Sequence, residues 1–502
     1  MHELMPERLD VRITQTPGRV TWKMLDGVDQ LLLILPRRPP RALWRELPGG
    51  TKLEPLLKRR RPLNPVALQA RLDNKRQTLV VAGTIKRSAA AFDQLTLARR
   101  LVAAATHEKA GVVGVCVLGF EGAVRDALYR ATVAAIQAAA FALPQFRSRP
   151  RPPRIRSAKL LGHDERIDLD RTTAEAAGNN LARWLTALPP NKLDARAYAN
   201  LTSDLAGAEG WDYRRYGVKE LAKLGAGAFL AVAQGNEDES AAIVRLRYRP
   251  VAKKAAPDLA LVGKGIIFDT GGTNLKPFSA MLDMHGDMQG SAVALGTLLA
   301  ISRLGLPLAV DCWLAITENR TGPRAYKSQD LVTAANGKTI QTIHTDAEGR
   351  MALADTLVFA SREKPRLIVD YATLTGSVIN AITTRMSGVF TNRPDWHPRL
   401  KRTGRDAGER VWPFPIDKEF LVELRSDVAD IKQCSPKPSA DHILAGCFLA
   451  EFVENDVPWV HIDLAASENE GGLGHVPTKV TGFGVRYTLA LLLDDRILEA
   501  GD

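Results

Sequence analysis

The stretch VGKGIIFDTGGTNLKP, residues 262–277, decides how the fold and the chemistry of this chain are interpreted. It follows an apolar run and places Lys264, Asp269 and Lys276 around a Gly-Gly turn. Burying lysines next to carboxylates is costly unless a functional site uses their charges. The spacing therefore indicates a polar site at the carboxyl end of a buried strand.

A second polar stretch, HTDAEGR, contributes Asp346, Glu348 and Arg350. With Asp269 and Asp287, its carboxylates could hold two metal ions about 3.5–4 Å apart, an arrangement that activates water and polarises a carbonyl group. Each stretch alone has a simpler structural explanation. Asp-Thr-Gly-Gly is common in turns, and DAEGR suits a helix N-terminus capped by Asp346. Together the two stretches favour a metal-dependent hydrolase.

Apolar segments alternate with helical segments along most of the chain. In the last two thirds, strands are predicted at residues 259–262, 306–316, 367–371 and 459–464, and helices at 291–304 and 352–362. In the first third, strands are predicted at 31–36, 78–83 and 111–118, and helices at 97–106 and 122–143. Fully apolar strands flanked by helices predict an α/β fold with a mixed, mostly parallel sheet, whose site lies beyond the carboxyl ends of its strands.

A segment rich in proline and arginine separates these two regions. Its sequence, PQFRSRPRPPRIR, cannot continue a helix because each proline removes an N–H group and fixes φ. The predicted organisation is a smaller N-terminal α/β domain at residues 1–145, a linker at 146–164 and a catalytic domain at 165–502.

The N-terminal third carries the whole basic excess of the chain. Residues 1–160 contain 29 lysines and arginines against 12 acidic residues, a net charge of +17, whereas the whole chain carries +12. Such a split suggests contact with nucleic-acid phosphates as an added role of this region. The alternative is a solvated arginine-rich surface. The scarcity of aromatic residues in the basic segments and the lack of a nucleic-acid-binding motif favour that alternative.

Cysteine spacing and the first residues bear on the cellular compartment. The four cysteines are widely scattered and form no CxxC pair, so neither a disulfide framework nor a zinc finger is expected. The sequence MHELMPERLDV has charges where a signal peptide requires an apolar segment. These features predict a cytoplasmic protein without membrane contact.

The two polar stretches resemble the leucyl aminopeptidase family, the M17 metallopeptidases. The family's NTDAEGRL motif appears as HTDAEGRM at residues 344–351. Its VGKGxxFDSGGxxxKP segment appears at residues 262–277, with Thr270 for the serine. Further similar segments are HGDMQGSA around Asp287, DYATLTG at 370–376 and WVHIDLA at 459–465. The resemblance spans residues 165–490, and its motifs occur in the family's order and spacing.

The resemblance implies an aminopeptidase that removes N-terminal, leucine-like residues from peptides with two divalent metal ions, manganese or zinc, and a bicarbonate. Asp269 and Glu348 would bridge the metals. Lys276 and Arg350 would be catalytic: Lys276 polarises the substrate carbonyl, and Arg350 holds the bicarbonate that acts as general base, with Leu374 beside it. The implied metal ligands are Lys264, Asp269, Asp287, Asp346 and Glu348, and the implied substrate pocket contains Met284, Thr373, Gly376 and Ala465.

The sequence departs from the family pattern at two positions that bear on the site. His344 stands where the family has asparagine, and it would either tune the site through a hydrogen bond or serve as a polar substitute. Glu468 stands where a small or apolar pocket residue is usual. If its carboxylate reaches the first substrate pocket, we expect a preference for basic N-terminal residues.

The N-terminal domain is similar to the family only in its length and α/β character. That similarity implies a macro-domain-like fold used in building the homohexamer that family members form. A homohexamer is therefore an expectation of the resemblance.

Overall fold

The computed structural model describes residues 4–58, 66–107, 111–150, 154–250, 256–437 and 439–499. Their strands form a six-stranded sheet, an eight-stranded sheet and a small three-stranded sheet, and helices pack on the two large sheets. The predicted α/β fold class is confirmed.

The strands of the described residues are β1 (Arg12–Thr16), β2 (Gln30–Pro36), β3 (Val66–Arg71), β4 (Leu79–Ile85), β5 (Val112–Val117), β6 (Ser157–Leu161), β7 (Asp212–Gly217), β8 (Ala242–Tyr248), β9 (Leu259–Asp269), β10 (Val310–Asn319), β11 (Leu331–Thr333), β12 (Thr339–Gln341), β13 (Leu367–Ala372), β14 (Ser387–Thr391), β15 (Val411–Pro413), β16 (Ile431–Lys432) and β17 (Trp459–Asp463).

The α-helices are α1 (Trp22–Leu25), α2 (Gly50–Lys58), α3 (Ala91–Ala105), α4 (Gly122–Ala140), α5 (Asp170–Thr186), α6 (Ala195–Glu209), α7 (Val218–Lys223), α8 (Gly227–Ala233), α9 (Phe278–Met281), α10 (Gln289–Arg303), α11 (Glu348–Arg362), α12 (Gly376–Ile382), α13 (His397–Ala407), α14 (Asp441–Ala450) and α15 (Val485–Leu493).

The first sheet has the order β1-β6-β5-β2-β4-β3, and only β3 runs antiparallel to its neighbour. Its central strands are apolar on both faces because α3 and α4 cover one side and a second apolar cluster covers the other. The strands predicted at 31–36, 78–83 and 111–118 are confirmed as β2, β4 and β5.

Part of the predicted linker is a strand of this first sheet. Strand β6 lies within residues 146–164 and pairs in parallel with both β1 and β5. Residues 151–153 of the linker lie outside the described residues. The division of the chain into two domains stays a prediction.

The second sheet has the order β15-β14-β17-β13-β9-β10-β8-β7. Its centre, from β17 to β10, is parallel, and the antiparallel pairs lie toward the two edges. Two apolar clusters fill its two faces, one around α5, α10 and α15 and the other around α8, α11 and α14. The predicted mixed, mostly parallel sheet flanked by helices is confirmed.

Strand β9 is longer than the apolar run that predicts it. The strand continues through Lys264 to Asp269 instead of ending at residue 262. Glycine at position 263 lets α10 approach this part of the strand, because a Cβ at Gly263 would lie 2.4 Å from the Cα of Ser291 in α10. Helix α10 therefore packs directly on the backbone of β9, and Lys264 is a residue within a strand.

No helix of the described residues is long and apolar enough to cross a membrane.

Candidate metal centre and active site

The candidate residues meet at the carboxyl end of the central strands of the second sheet. Asp269 ends β9, Glu348 begins α11, and a 3-10 turn at Met284–Met288 leads into α10. The structure brings together all five predicted metal ligands and Lys276: Lys264, Asp269, Lys276, Asp287, Asp346 and Glu348. Parallel strands expose their carboxyl ends at one edge, so residues far apart in sequence converge there.

Lys264 connects two carboxylates at the base of the site. Its buried Nζ lies 2.8 Å from Asp287 Oδ2 and 2.8 Å from Glu348 Oε1, and it donates to the carbonyl oxygen of Thr373 at 2.9 Å. Gly349 makes room for this side chain, because a Cβ there would lie 2.6 Å from Lys264 Cε. The glycine of the DAEGR motif is therefore required by the packing of Lys264 against α11.

The Gly-Gly turn brings Lys276 back over Asp269. Gly271 and Gly272 have φ values of +85° and +66°, which favour glycine. The turn is closed by a hydrogen bond from the Lys276 amide to the Thr270 carbonyl at 2.9 Å. As a result, Lys276 Nζ lies 2.8 Å from Asp269 Oδ2 and 2.5 Å from Asp346 Oδ1.

Asn319, at the end of β10, holds two of these segments in place. Its Nδ2 donates to Asp269 Oδ1 at 2.8 Å and to the carbonyl oxygen of Thr345 at 3.0 Å. Tyr326 donates to the same carbonyl oxygen at 2.8 Å. The carboxylate of Asp269 and the loop before α11 are thus positioned by buried amide and hydroxyl groups.

Burial and neighbouring charges shift the pKa values of both lysines and of Asp346. Burial alone would lower the pKa of Lys264, but Asp287 and Glu348 override it and raise that pKa above its ordinary value. The pKa of Lys276 is raised in the same way, chiefly by Asp269. Burial, reinforced by Asp269 and Glu348, raises the pKa of Asp346 to about 7. The charged form of both lysines is therefore favoured, and Asp346 binds a proton more readily than an ordinary aspartate.

Three of the carboxylates fit a divalent cation. Asp269, Asp346 and Glu348 each present an oxygen, and these atoms lie within 4.8 Å of one another. Glu348 Oε2 is buried and lacks a hydrogen-bond partner among the described residues. Closely spaced carboxylate oxygens with an unsatisfied lone pair are the donor set that hard divalent ions prefer.

Arg350 lies behind this cluster and is fully buried. Its Nη2 contacts Asp441 Oδ2 at 2.6 Å, and its Nη1 donates to the carbonyl oxygen of Gln433 at 3.3 Å. Burial lowers the pKa of Arg350, but Asp441 more than offsets this and raises it. Arg350 is not among the residues that line the cavity beside the carboxylates.

A cavity of about 370 Å³ opens beside the carboxylates and lysines. The residues predicted for the substrate pocket all line it, as do the predicted bicarbonate neighbour and Glu468: Met284, Thr373, Leu374, Gly376, Ala465 and Glu468. Its wall is held by Asp463, which accepts hydrogen bonds from the Leu374 amide at 3.1 Å and the Thr375 hydroxyl at 2.7 Å. An apolar cavity next to convergent charged groups is the usual form of a small-ligand site.

Known proteins resemble this chain in sequence. The family model described as the cytosol aminopeptidase family, catalytic domain, matches residues 180–489. A probable cytosol aminopeptidase of Prochlorococcus marinus is 36% identical over 428 residues, which cover 84% of this chain and 86% of that relative. A probable cytosol aminopeptidase of Syntrophobacter fumaroxidans is 39% identical over 321 residues, 64% of this chain and 63% of that relative.

Two solved structures resemble the whole fold. The bottromycin maturation enzyme BotP in complex with Mn has a TM-score of 0.79 and 30% identity, covering 92% of this chain and 98% of that one. A leucine aminopeptidase mutant of tomato has a TM-score of 0.82 and covers 98% of both chains, but at 24% identity it supports the fold alone.

The chain belongs to the cytosol aminopeptidase family, M17. It is therefore a metal-dependent aminopeptidase, and the predictions of the family and of the enzyme class are confirmed. The matched range, 180–489, includes every residue predicted for the metal centre, the catalytic pair and the substrate pocket.

The two departures from the family pattern have different positions. The side chain of His344 is exposed, and its Nδ1 accepts a long hydrogen bond of 3.3 Å from the Asp346 amide. Glu468, in contrast, lines the cavity. The side chain of His344 thus contacts the metal-centre loop through the Asp346 amide, whereas Glu468 lines the cavity proposed to bind substrate.

Gln433 is a residue of this aminopeptidase that the sequence patterns missed. It is fully buried, and its Oε1 accepts hydrogen bonds of 3.1 Å from the amides of Ile343 and His344. Its Nε2 donates to the carbonyl oxygen of Ala347 at 3.0 Å, and its own carbonyl accepts from Arg350. A lone glutamine 83 residues from Arg350 gives no signal in the sequence.

We expect Gln433→Leu to lower the free energy of unfolding by roughly 3 kcal/mol, because it removes three hydrogen bonds to partly buried backbone groups, each worth about 1 kcal/mol. Denaturant unfolding of the purified protein measures this loss. The exposed Gln234 offers a matched control, and Gln234→Leu is expected to change stability by less than about 0.5 kcal/mol. Equal stability of the two variants would contradict the assigned role of Gln433.

Proposed function

We propose that this aminopeptidase removes N-terminal, leucine-like residues from peptides with two divalent metal ions, bound by Lys264, Asp269, Asp287, Asp346 and Glu348. The observation that carries the proposal is the group of three carboxylate oxygens within 4.8 Å, flanked by two lysines at the edge of an apolar cavity. Bound ions would supply Lewis acidity and an activated water molecule. Asp269 and Glu348 are the proposed bridging ligands.

The identity of the metals is proposed as manganese or zinc. Carboxylates together with one amine form a mixed donor set that several divalent ions accept, and availability then decides among them. The structural relative in complex with Mn supports manganese as the first ion to test.

Lys264 is proposed to bind metal as a neutral amine. Its present carboxylate neighbours raise its pKa, so the amine becomes neutral only if a stronger positive charge displaces its proton. A dication at contact distance has this effect on an amine. The same ions would neutralise Asp287 and Glu348, which Lys264 now pairs with.

Lys276 and Arg350 are proposed as the catalytic pair. Lys276 remains charged and faces the cavity, where its ammonium group can donate to the oxygen that gains charge as the substrate carbonyl is attacked. Arg350, with Leu374 beside it, is proposed to hold a bicarbonate that accepts a proton. To do so, the guanidinium has to share its donors between the anion and Asp441.

The cavity wall formed by Met284, Thr373, Gly376 and Ala465 is proposed to receive the side chain of the N-terminal substrate residue. Thr373 also ties this wall to the metal centre, because its hydroxyl donates to Asp287 Oδ1 at 2.6 Å. Substrate contact and ligand position are therefore linked through one short segment after β13.

Metal removal tests the proposal directly. We expect stripped protein to lose hydrolysis of leucine 4-nitroanilide, and manganese or zinc added back singly to restore it, since the proposed ions supply the Lewis acidity and the activated water molecule. The measurement is the initial rate after each addition, with calcium as a control ion of unsuitable geometry. Full activity in the stripped protein, or none with any metal, would contradict the proposal.

The oligomer and the basic region complete the proposal. A homohexamer remains proposed from the family resemblance, and sedimentation at micromolar concentration tests it.

Nucleic-acid binding by the N-terminal third remains the alternative role, supported by the charge of +17 over residues 1–160. The proposed division is an N-terminal domain at 1–145, a linker at 146–164 and a catalytic domain at 165–502.

A further inference from the structure

We infer that Glu468 makes this cavity select peptides whose N-terminal residue has a cationic side chain, lysine or arginine. The inference rests on the proposed function, because it takes the cavity beside the metal centre as the pocket for the first substrate side chain. It specifies the substrate class that this chain's own pocket residues favour.

The carboxylate of Glu468 lies on the cavity wall beside Gly286 and Gln289. Its Oε1 is 3.4 Å from Gln289 Nε2, and a Cβ at Gly286 would come equally close, at 3.4 Å. Gly286 directly precedes Asp287, a proposed metal ligand. Glu468 is therefore close to the segment that carries a proposed metal ligand, and 30% of its side chain is open to solvent.

The acidic charge around Glu468 exceeds the charge that neutralises it. Lys479 Nζ lies 2.8 Å from Asp283 Oδ2, 3.3 Å from Glu468 Oε2 and 3.7 Å from Glu470 Oε1. One ammonium group serves three carboxylates, and its shortest contact is to Asp283. The cluster keeps a net negative charge, and Glu468 retains capacity to accept a second cation.

The backbone keeps this charged group in place. Glu468 and Val480 form an antiparallel bridge, and the Asn469 amide donates to the Lys479 carbonyl at 2.8 Å. Glu468 and Lys479 therefore lie on facing segments of one hairpin. The acidic group is presented by a fixed backbone, which reduces the entropy lost when a substrate cation binds.

The remaining lining suits the stem of a long cationic side chain. Ala280, Met284, Ile379, Leu464 and Ala465 give the cavity an apolar wall. Lysine and arginine pack their methylene groups on apolar surface while the charged end contacts a polar partner. A leucine side chain would use the same wall but has no charge to pair with Glu468, so the carboxylate adds a preference for a cation on top of apolar binding.

The test compares lysyl and norleucyl 4-nitroanilides, because norleucine has the side chain of lysine without its ammonium group. The quantity measured is the ratio of the two kcat/KM values for metal-loaded protein. We expect a ratio above one in the natural protein and a fall of about ten-fold in Glu468→Gln, the size of one charge-assisted contact in a partly solvated pocket. Lys479→Met is expected to raise the ratio, since it removes the competing cation.

Glu470→Gln is the matched control. It removes the same charge near the same lysine, but Glu470 is 86% exposed and does not line the cavity. Its ratio is expected to stay within about two-fold of the natural value, because solvent screens exposed charges. The inference is overturned if the ratio is unchanged in Glu468→Gln or falls equally in Glu470→Gln. In either case, hydrolysis of the norleucyl substrate still supports the proposed function. Loss of hydrolysis of both substrates in the natural protein overturns the proposed function and this inference together.

Discussion

Lys276→Met is expected to lower kcat for leucine 4-nitroanilide by about 100- to 1,000-fold while both metal ions stay bound. This is the usual loss when one preorganised donor to a developing oxyanion is removed. Lys276 Nζ lies 2.8 Å from Asp269 Oδ2 and 2.5 Å from Asp346 Oδ1, at the cavity edge, so its ammonium is held where the substrate carbonyl would lie. Methionine keeps much of the volume and removes the charge.

Steady-state kinetics and metal analysis of the same preparation measure this result. Lys327→Met serves as the control, because Lys327 is 68% exposed and pairs only weakly with Asp330 at 3.6 Å. Its kcat should match that of the natural protein. A Lys276→Met protein that loses its metals, or that keeps full kcat, would contradict the electrostatic role assigned to Lys276.

Lys264→Met is expected to produce the opposite pattern, with loss of metal as the primary defect. If Lys264 is a ligand, its removal should weaken binding of one ion by more than about 100-fold, because changes to groups that merely orient ligands already cost about 10- to 100-fold. The location supports this expectation, since Lys264 Nζ lies 2.8 Å from both Asp287 and Glu348 in a fully buried position.

Metal content per chain after dialysis, followed by a titration of activity with added metal, measures this effect. Lys276→Met is the matched comparison, since it makes the same chemical change 12 positions along the chain at a lysine with the same kind of carboxylate partners. We expect excess metal to restore part of the activity of Lys264→Met but none of that lost in Lys276→Met. Equal metal content in both variants would refute the division of roles between the two lysines.

Local spacing made much of the site predictable. The Gly-Gly turn, the strand before it and the helix N-terminus at Glu348 all depend on residues a few positions apart, whose conformations follow from glycine freedom and apolar runs. The explanation of DAEGR as a helix start is correct in part: α11 begins at Glu348, although the structure makes Ala347 its N-cap residue and not Asp346. The explanation of the same residues as metal ligands stays a prediction.

Other features depend on contacts between distant segments. Arg350 pairs with Asp441, 91 residues away, and Lys479 pairs with Asp283, 196 residues away. No periodicity or spacing connects such residues, because the order of strands in the sheets decides which loops meet. For the same reason, the sequence did not predict that β6 joins the first sheet or that β9 extends to Asp269.

The sequence by itself determined the chemical character of this protein: an α/β fold, two motifs of lysines and carboxylates, and membership of a metal-dependent aminopeptidase family. These follow from residue types at short spacing, which act through local backbone geometry. Only the tertiary structure decided which charges face one another. It pairs each lysine with particular carboxylates, buries Arg350 against Asp441 and sets Glu468 beside an incompletely neutralised cluster on the cavity wall. Electrostatic energy depends on distance and burial, and both are properties of the folded chain.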